Sequence, residues 1–362
     1  MPIGASSLRP VEKQNELRSK LAIDNCYFIV KLHEAQAFFR TDWLAKPGFI
    51  TLVSSVKSTF QPNLPIRSLH RIETLERNKP CRMGLGINLT SWLPARATDS
   101  LHIELKYLAV RSTPIKSLMA HLQQAKLGAT VSMIRPDWEL AVKVSEIVGY
   151  LLSYFQKEGI EHEFFPLAIN INVGNIETGY HASVGSATDE EWPQSLRMDG
   201  RGRLISGMSQ TEILNCCYAV LKVGMIPRRG SEIAREEPWW ELLQTAKDEI
   251  IGSCIPGIPL SDRERRQLWQ NWQKTLNQVR KLARKQQCFL LQEIDELIRT
   301  AFKEVKEHLE PTTVPESYGL EEFPDELQDL LGVSTMQELE QSVRNYQDAL
   351  EVSRQLSSLF NT

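Results

Sequence analysis

Residues 261–310 contain no Gly and no Pro. A run this long without a helix breaker constrains the chain more than any other feature. As one helix it would reach about 75 Å at 1.5 Å per residue, well beyond the ordinary globular helix. Its charge is segregated. Residues 261–288 carry eight bases (Arg263, Arg265, Arg266, Lys274, Arg280, Lys281, Arg284, Lys285) against Asp262 and Glu264. Residues 289–310 carry Arg299, Lys303 and Lys306 against Glu293, Asp295, Glu296, Glu304, Glu307 and Glu310. A rod with one basic and one acidic half calls for an antiparallel partner. Its apolar stripe, from Leu268 and Trp272 to Val305 and Leu309, fails at Gln286-Gln287. A hairpin there would set the halves side by side. The expectation is instead a straight or gently bent helix, because no Gly, Pro or Asn offers a turn at that point.

The flanks are helical too. Ser261-x-x-Glu264 spells a capping box at the start of the run. Glu236-Glu237-Pro238 opens a preceding helix that bears Trp239, Leu242, Leu243, Ala246 and Ile250. Near the end, Thr335-x-x-Glu338 repeats the cap chemistry. Met336, Leu339, Val343, Tyr346 and Leu350 then recur at 3, 4, 3, 4, a short coiled-coil seam. Residues 311–362 hold Arg344 and Arg354 against ten acids. The acidic last helix is therefore expected to pack on the basic half, residues 263–285. Nothing after residue 235 resembles a strand, so the domains are read as 1–235 and 236–362.

Before that boundary the period changes from 3.6 to 2. Met83, Leu85, Ile87 and Leu89 alternate with Arg82, Gly84, Gly86 and Asn88. Leu101, Ile103, Leu105, Tyr107 and Ala109 alternate with His102, Glu104 and Lys106. Each set implies a strand with one buried and one wet face. The short link 91–100 suggests that the two pair with each other. Further strands are read at 27–32, 49–56, 167–173, 180–184 and 216–223. Asp199-Gly200-Arg201-Gly202 marks a hairpin between 196–198 and 203–205. Residues 1–20 read as polar and either frayed or a loose helical turn or two, and Pro62 and Pro65 as an exposed loop. Two helices are inserted, one from Thr113-Pro114 and one from Pro136-Asp137 through the stripe at Trp138, Ala141, Val142 and Ser145. The fold class is α+β. An N-terminal antiparallel β-sandwich-like domain with two inserted helices precedes an all-α C-terminal domain with a long helix.

Composition narrows the function classes. A net charge of −3 over 362 residues disfavours bulk nucleic-acid or anionic-membrane binding. No apolar run approaches the roughly 20 residues of a membrane span. The six cysteines form no C-x-x-C and the start lacks a signal-peptide core, which points to a reducing cytoplasm.

Signs of catalysis are sparse. Gly84-x-Gly86 lacks the third glycine of a dinucleotide fingerprint, and no phosphate-binding loop pattern occurs. The glycines read as marks of twist or close packing in a strand. His33-Glu34 and His162-Glu163 have no second histidine at helical spacing, and His102 and His181 sit on separate strands. No cofactor or metal is implied. Cys81 and His70 form the one Cys–His pair in a single region, with Lys79 and Arg82 near the thiol. Cys216-Cys217 read as buried strand residues.

The residues singled out for contact are Trp239 and Trp240, Trp269 and Trp272, Arg280, Lys281 and Arg284, and the hairpin arginines Arg201 and Arg203. Arg228-Arg229 extend that hairpin patch. The leading function is a non-catalytic intracellular interaction protein, an adaptor or accessory subunit. Its sandwich would recognise a protein partner and its helical domain would mediate assembly, with homo-oligomers through the C-terminal helices as a further outcome. The alternatives are a cysteine-dependent hydrolase using Cys81 and His70, and a membrane-acting effector released by cleavage at 311–324.

Overall fold

The structure is a computed structural model that describes residues 8–13, 18–38, 48–59, 61–75, 80–110, 162–185, 193, 195–213, 216–235, 237–254, 260–286, 289–309 and 323–361. The two inserted helices, and all but the last two residues of the proposed cleavage segment, lie outside the described residues. The chain is a mixed α and β protein with strands first and helices last. It divides into two compact units, Met1–Ile23 with Phe28–Gly224, and Asp24–Tyr27 with Met225–Thr362.

The first unit holds two sheets. Strands β1 (Arg9–Glu12), β2 (Tyr27–Ala37), β5 (Cys81–Asn88), β9 (Gly179–Gly185), β10 (Leu196–Met198), β11 (Leu204–Ser206) and β12 (Cys217–Ile226) run in the order β11-β10-β1-β9-β12-β2-β5. The short β6 (Leu93–Pro94) also pairs with β2. Strands β3 (Gly48–Ser58), β4 (Gln61–Leu75), β7 (Ser100–Val110) and β8 (His162–Asn172) form the second sheet, in the order β4-β3-β7-β8. Of the pairings with a described register, that of β1 with β10 is parallel and the others are antiparallel. Inner strands β2 and β12 are buried almost throughout, which suits their near-continuous apolar sequence. On β7 the alternation is clean, with Leu101, Ile103, Leu105 and Tyr107 buried. The Tyr107 hydroxyl donates to the Tyr218 carbonyl at 2.8 Å and ties β7 to β12 across the two sheets.

Three strand expectations need correction. Residues 83–89 and 101–109 do not pair, because β5 borders one sheet and β7 is inside the other. The link between them is not a hairpin: its Leu93–Pro94 segment pairs with β2, and Thr90 N–H donates to the Val30 carbonyl. Pro62 and Pro65 lie in a strand rather than a loop. β4 is an edge strand, and both prolines fall in the irregular register between Val56↔Ile66 and Ser58↔Gln61, where no regular ladder bond is needed. Residues 1–20 are not all frayed, since β1 is held between β9 and β10.

The glycines of β5 mark a bulge. Leu32 faces Ile87 and Glu34 faces Gly84, so β5 has an extra residue there, and Gly86 takes φ +57. The hairpin Asp199–Arg203 forms as read. The Asp199 carboxylate accepts the backbone N–H groups of Arg201 (2.9 Å) and Arg203 (2.8 Å), and Gly202 adopts φ +76.

The second unit carries helices α1 (Ser231–Ala234), α2 (Pro238–Ser253), α3 (Asp262–Gln286), α4 (Leu291–Leu309), α5 (Asp325–Leu331) and α6 (Met336–Asn361). The run without Gly or Pro is not one rod. It breaks between Gln286 and Leu291, and the halves return antiparallel, with Trp269 edge-on to Phe302 at 5.1 Å and Asp295 between Arg280 and Arg284 at 3.0 and 3.2 Å. The turn needs no local breaker because tertiary contacts supply one. Phe289 and Leu290 are buried, and the Leu290 N–H, left without an intrahelical acceptor, donates to the Tyr27 hydroxyl at 2.9 Å.

The capping box at Ser261 forms, and the one at Thr335 forms with its return bond shifted to Ser334. Ser261 N–H donates to Glu264 at 2.9 Å with a return bond of 3.3 Å, and Glu338 N–H donates to Thr335 Oγ1 at 3.2 Å while its carboxylate takes the Ser334 N–H. Gly332 at φ +64 closes α5 with its N–H on the Gln328 carbonyl at 2.7 Å. The seam Leu339, Val343 and Tyr346 is buried, but α6 packs on α4 rather than on the basic half. Arg299 of α4 donates to Ser342 Oγ at 2.8 Å and to the Leu331 carbonyl at 2.6 Å. The α3 arginines that were to meet α6 are already matched by Asp295 of the adjoining helix.

Candidate functional site

Each unit contains a cluster of buried polar side chains built around a Tyr–Glu pair. In the first unit the bulge at Gly86 lies opposite His33-Glu34 of β2. Glu34 accepts the Tyr218 hydroxyl of β12. Two residues along, Gln36 donates to the carbonyls of Ile213 (2.9 Å) and Cys216 (3.0 Å) and accepts Arg82 Nε (2.8 Å). Arg82 also reaches Glu212 at 3.3 Å, and Glu212 takes Arg203 on its other oxygen. Burial pushes the Glu34 carboxyl above its ordinary range, while Tyr218, Arg82 and Arg203 pull it back. Burial, together with Glu34, pushes the Tyr218 hydroxyl up.

Beside this cluster His33 stands edge-on to Tyr180, with centroids 4.9 Å apart. Lys13 Nζ donates to the Tyr180 hydroxyl at 3.1 Å, and Lys222 Nζ lies 5.6 Å from the ring centroid. Burial first, then Lys13, Lys222 and Lys31, holds the His33 imidazole below its ordinary pKa, so it is neutral at neutral pH.

In the second unit Glu293 is completely buried. One oxygen accepts the backbone N–H groups of Arg229 and Gly230, both at 2.9 Å, and the other takes the Tyr27 hydroxyl. Arg228 and Glu296, 5% and 6% exposed, form a bidentate pair at 2.5 and 2.9 Å. Arg228 Nη1 donates to the Pro227 carbonyl at 2.8 Å and to Asn25 Oδ1 at 3.2 Å, and its backbone N–H donates to Ser353 Oγ at 2.9 Å. Arg229 lies 5.4 Å from the Tyr27 ring centroid and 5.0 Å from that of Phe289. Burial pushes Glu293 up, opposed by the Tyr27 hydroxyl, the Gly230 N–H and Arg228. Arg228 thus belongs to a buried ion pair and not to the surface patch read from the sequence.

The residues singled out from sequence are dispersed. Trp239 and Trp272 are buried inside the helical core, and Trp240 and Trp269 are half-buried against it. Arg280 donates to Asp295 and, at 2.7 Å, to the Asp329 carbonyl; Arg284 shares Asp295; Lys281 is exposed. Arg201 is exposed at the hairpin tip, Arg203 is bound to Glu212, and the adjacent Arg197 pairs with Glu12 at 2.8 Å.

His102 contacts Asn170 and His181 contacts the Glu177 carbonyl, so the two histidines do not meet. Cys81 is half-buried on β5, and the His70 side chain lies outside the described residues. Burial pushes the Cys217 thiol up to about 11 and raises Cys254 as well. Among the described residues no group of three His, Cys, Asp or Glu could hold a metal ion, and no helix is long and apolar enough to cross a membrane. The chain matches no family model and no curated protein.

Sequence reasoning missed Glu34, Tyr218, Arg82, Tyr27, Glu293 and Glu296 as a set. The available signal was an acid inside a buried pattern: Glu34 interrupts an apolar strand, and Glu293 and Glu296 sit beside the Ile294–Leu297 stripe.

Proposed function

We propose that this is a non-catalytic interaction protein, an adaptor or accessory subunit that works in the cytoplasm. In this reading residues 1–235 form a β-sandwich-like recognition domain and residues 236–362 an all-α assembly domain. The observation that supports it is the closure of the polar clusters. Glu34 engages Tyr218, Glu293 engages Tyr27 and two backbone N–H groups, and Arg228 engages Glu296. A general base or nucleophile needs a free lone pair within reach of a substrate proton or carbonyl. Here both oxygens of Glu293 and both of Glu296 face donors of their own cluster, and Glu34 Oε1 faces the Tyr218 hydroxyl. Raised thiol pKa values at Cys217 and Cys254 point the same way, since the thiolate is the reactive form.

Alkylation of the intact protein with iodoacetamide, read cysteine by cysteine by mass spectrometry, tests this. Slow modification at every cysteine is expected. A hyper-reactive Cys81 would replace this reading with the cysteine-dependent hydrolase.

A further inference from the structure

We propose that the outward face of α3 is a docking site for an acidic helical segment of a partner protein. The inference rests on the interaction-protein reading and gives it a surface and a partner chemistry. α3 turns Trp272, Leu276, Val279 and Ala283 into the core. On the opposite side Arg263, Arg266, Lys274, Lys281 and Lys285 are all exposed. With Gln270 and Asn277 between them they recur at 3, 4, 4, 3, 4, 4, within an arc of about 100°. The stripe runs about 33 Å along the helix and holds no acid. Arg280 and Arg284, on the flank towards α4, are held by Asp295. Among the described residues no ion pair engages the five outward cations.

A basic stripe could meet a nucleic acid, an anionic bilayer or an acidic protein, and the observations favour the last. The stripe contains no aromatic side chain on which a base could stack. Residues 225–362 carry 24 acidic against 17 basic side chains. That net negative charge of the sequence opposes a long polyanion or a charged bilayer, whose field reaches well beyond the stripe. A single helix is narrow enough to contact the stripe alone. Carboxylates at its own 3–4 spacing keep register with the cations for the whole length, because both helices share one rise per residue. Exposed ion pairs are individually weak, each multiplying affinity by about 1.5 to 5, so a measurable complex requires several in register.

The test uses the full-length protein and a labelled helical peptide of about 20 residues. It carries Glu at 3–4 spacing on one face and Ala and Gln elsewhere. Binding is read by fluorescence anisotropy at about 50 mM and about 300 mM salt. The Glu peptide is expected to bind at low salt and weaken at high salt, while a Gln-for-Glu version does not bind. K274E/K281E should weaken binding by about tenfold or more, with K274Q/K281Q intermediate and unchanged circular dichroism for both. Both positions are exposed on a helix away from its core face, so folding should survive the change.

Failure of the Glu peptide to bind at low salt, or equal binding by K274E/K281E, would overturn the proposal. So would tighter binding of duplex DNA, or of vesicles containing phosphatidylserine. If cysteine alkylation is uniformly slow in the same preparation, such a failure removes this surface and leaves the interaction-protein reading in place.

Discussion

Glu34 with Tyr218, and Glu293 with Tyr27, put the same chemistry in two settings. In each a buried carboxylate accepts a tyrosine hydroxyl, and burial raises the acid's pKa. The surroundings differ. Around Glu34 the charged neighbours reach solvent: Arg82 is 21% exposed and Glu212 34%. Around Glu293 the polar partners are enclosed, and its neighbour Glu296 faces a guanidinium that is 5% exposed. Solvent access therefore decides how much each cluster contributes to its unit. An exposed ion pair gains little over water, whereas removing one partner of an enclosed pair leaves an uncompensated charge.

The substitutions that would break or sharpen this contrast are ordered by size. Arg228→Ala, which strands Glu296 inside the helical unit, should cost about 3–5 kcal/mol in urea unfolding. Tyr27→Phe should cost about 1–3 kcal/mol, because both the Glu293 oxygen and the Leu290 N–H lose their partner. Hydrogen exchange should show that loss first at the start of α4. Tyr218→Phe removes a single hydrogen bond and should cost about 1 kcal/mol. Arg82→Ala should cost at most about 1 kcal/mol, less in high salt.

The pH dependence follows from the raised Glu293 and Glu34. In the window between the unfolded and the folded pKa the folded state holds the proton more tightly than the unfolded state. Each group thus adds stability that is full below its unfolded value and is lost as pH rises through its folded value. The destabilisation caused by Glu293→Gln should therefore be larger at about pH 5 than at about pH 8, measured by parallel urea titrations. A penalty that grows with rising pH would mean that the folded state lowers this carboxyl's pKa instead.

Features set by neighbours in the sequence were legible. Ser261 with Glu264, Thr335 with Glu338, and Asp199 with Arg201 and Arg203 each bond within four residues, and their side-chain chemistry announces them. The period of two in β7 likewise needs only a local pattern. Features set at long range were not. Tyr218 and Glu34 are 184 residues apart, and Tyr27 and Glu293 266 apart, so nothing in either segment names its partner. The straight-helix expectation failed for the same reason. The cap at Leu290 is a tyrosine hydroxyl from the other end of the chain, and local breakers are unnecessary once such a group is in place. The prolines of β4 misled in another way: Pro62 and Pro65 read as loop markers, whereas an edge strand accommodates proline.

Urea unfolding of Arg228→Ala beside Arg82→Ala, under one set of conditions and followed by far-UV circular dichroism, tests the contrast most directly. The enclosed network should make the first substitution costlier than the second by at least about 2 kcal/mol. Equal and small losses would show that burial of Arg228 and Glu296 does not hold the helical unit together, and would contradict the account.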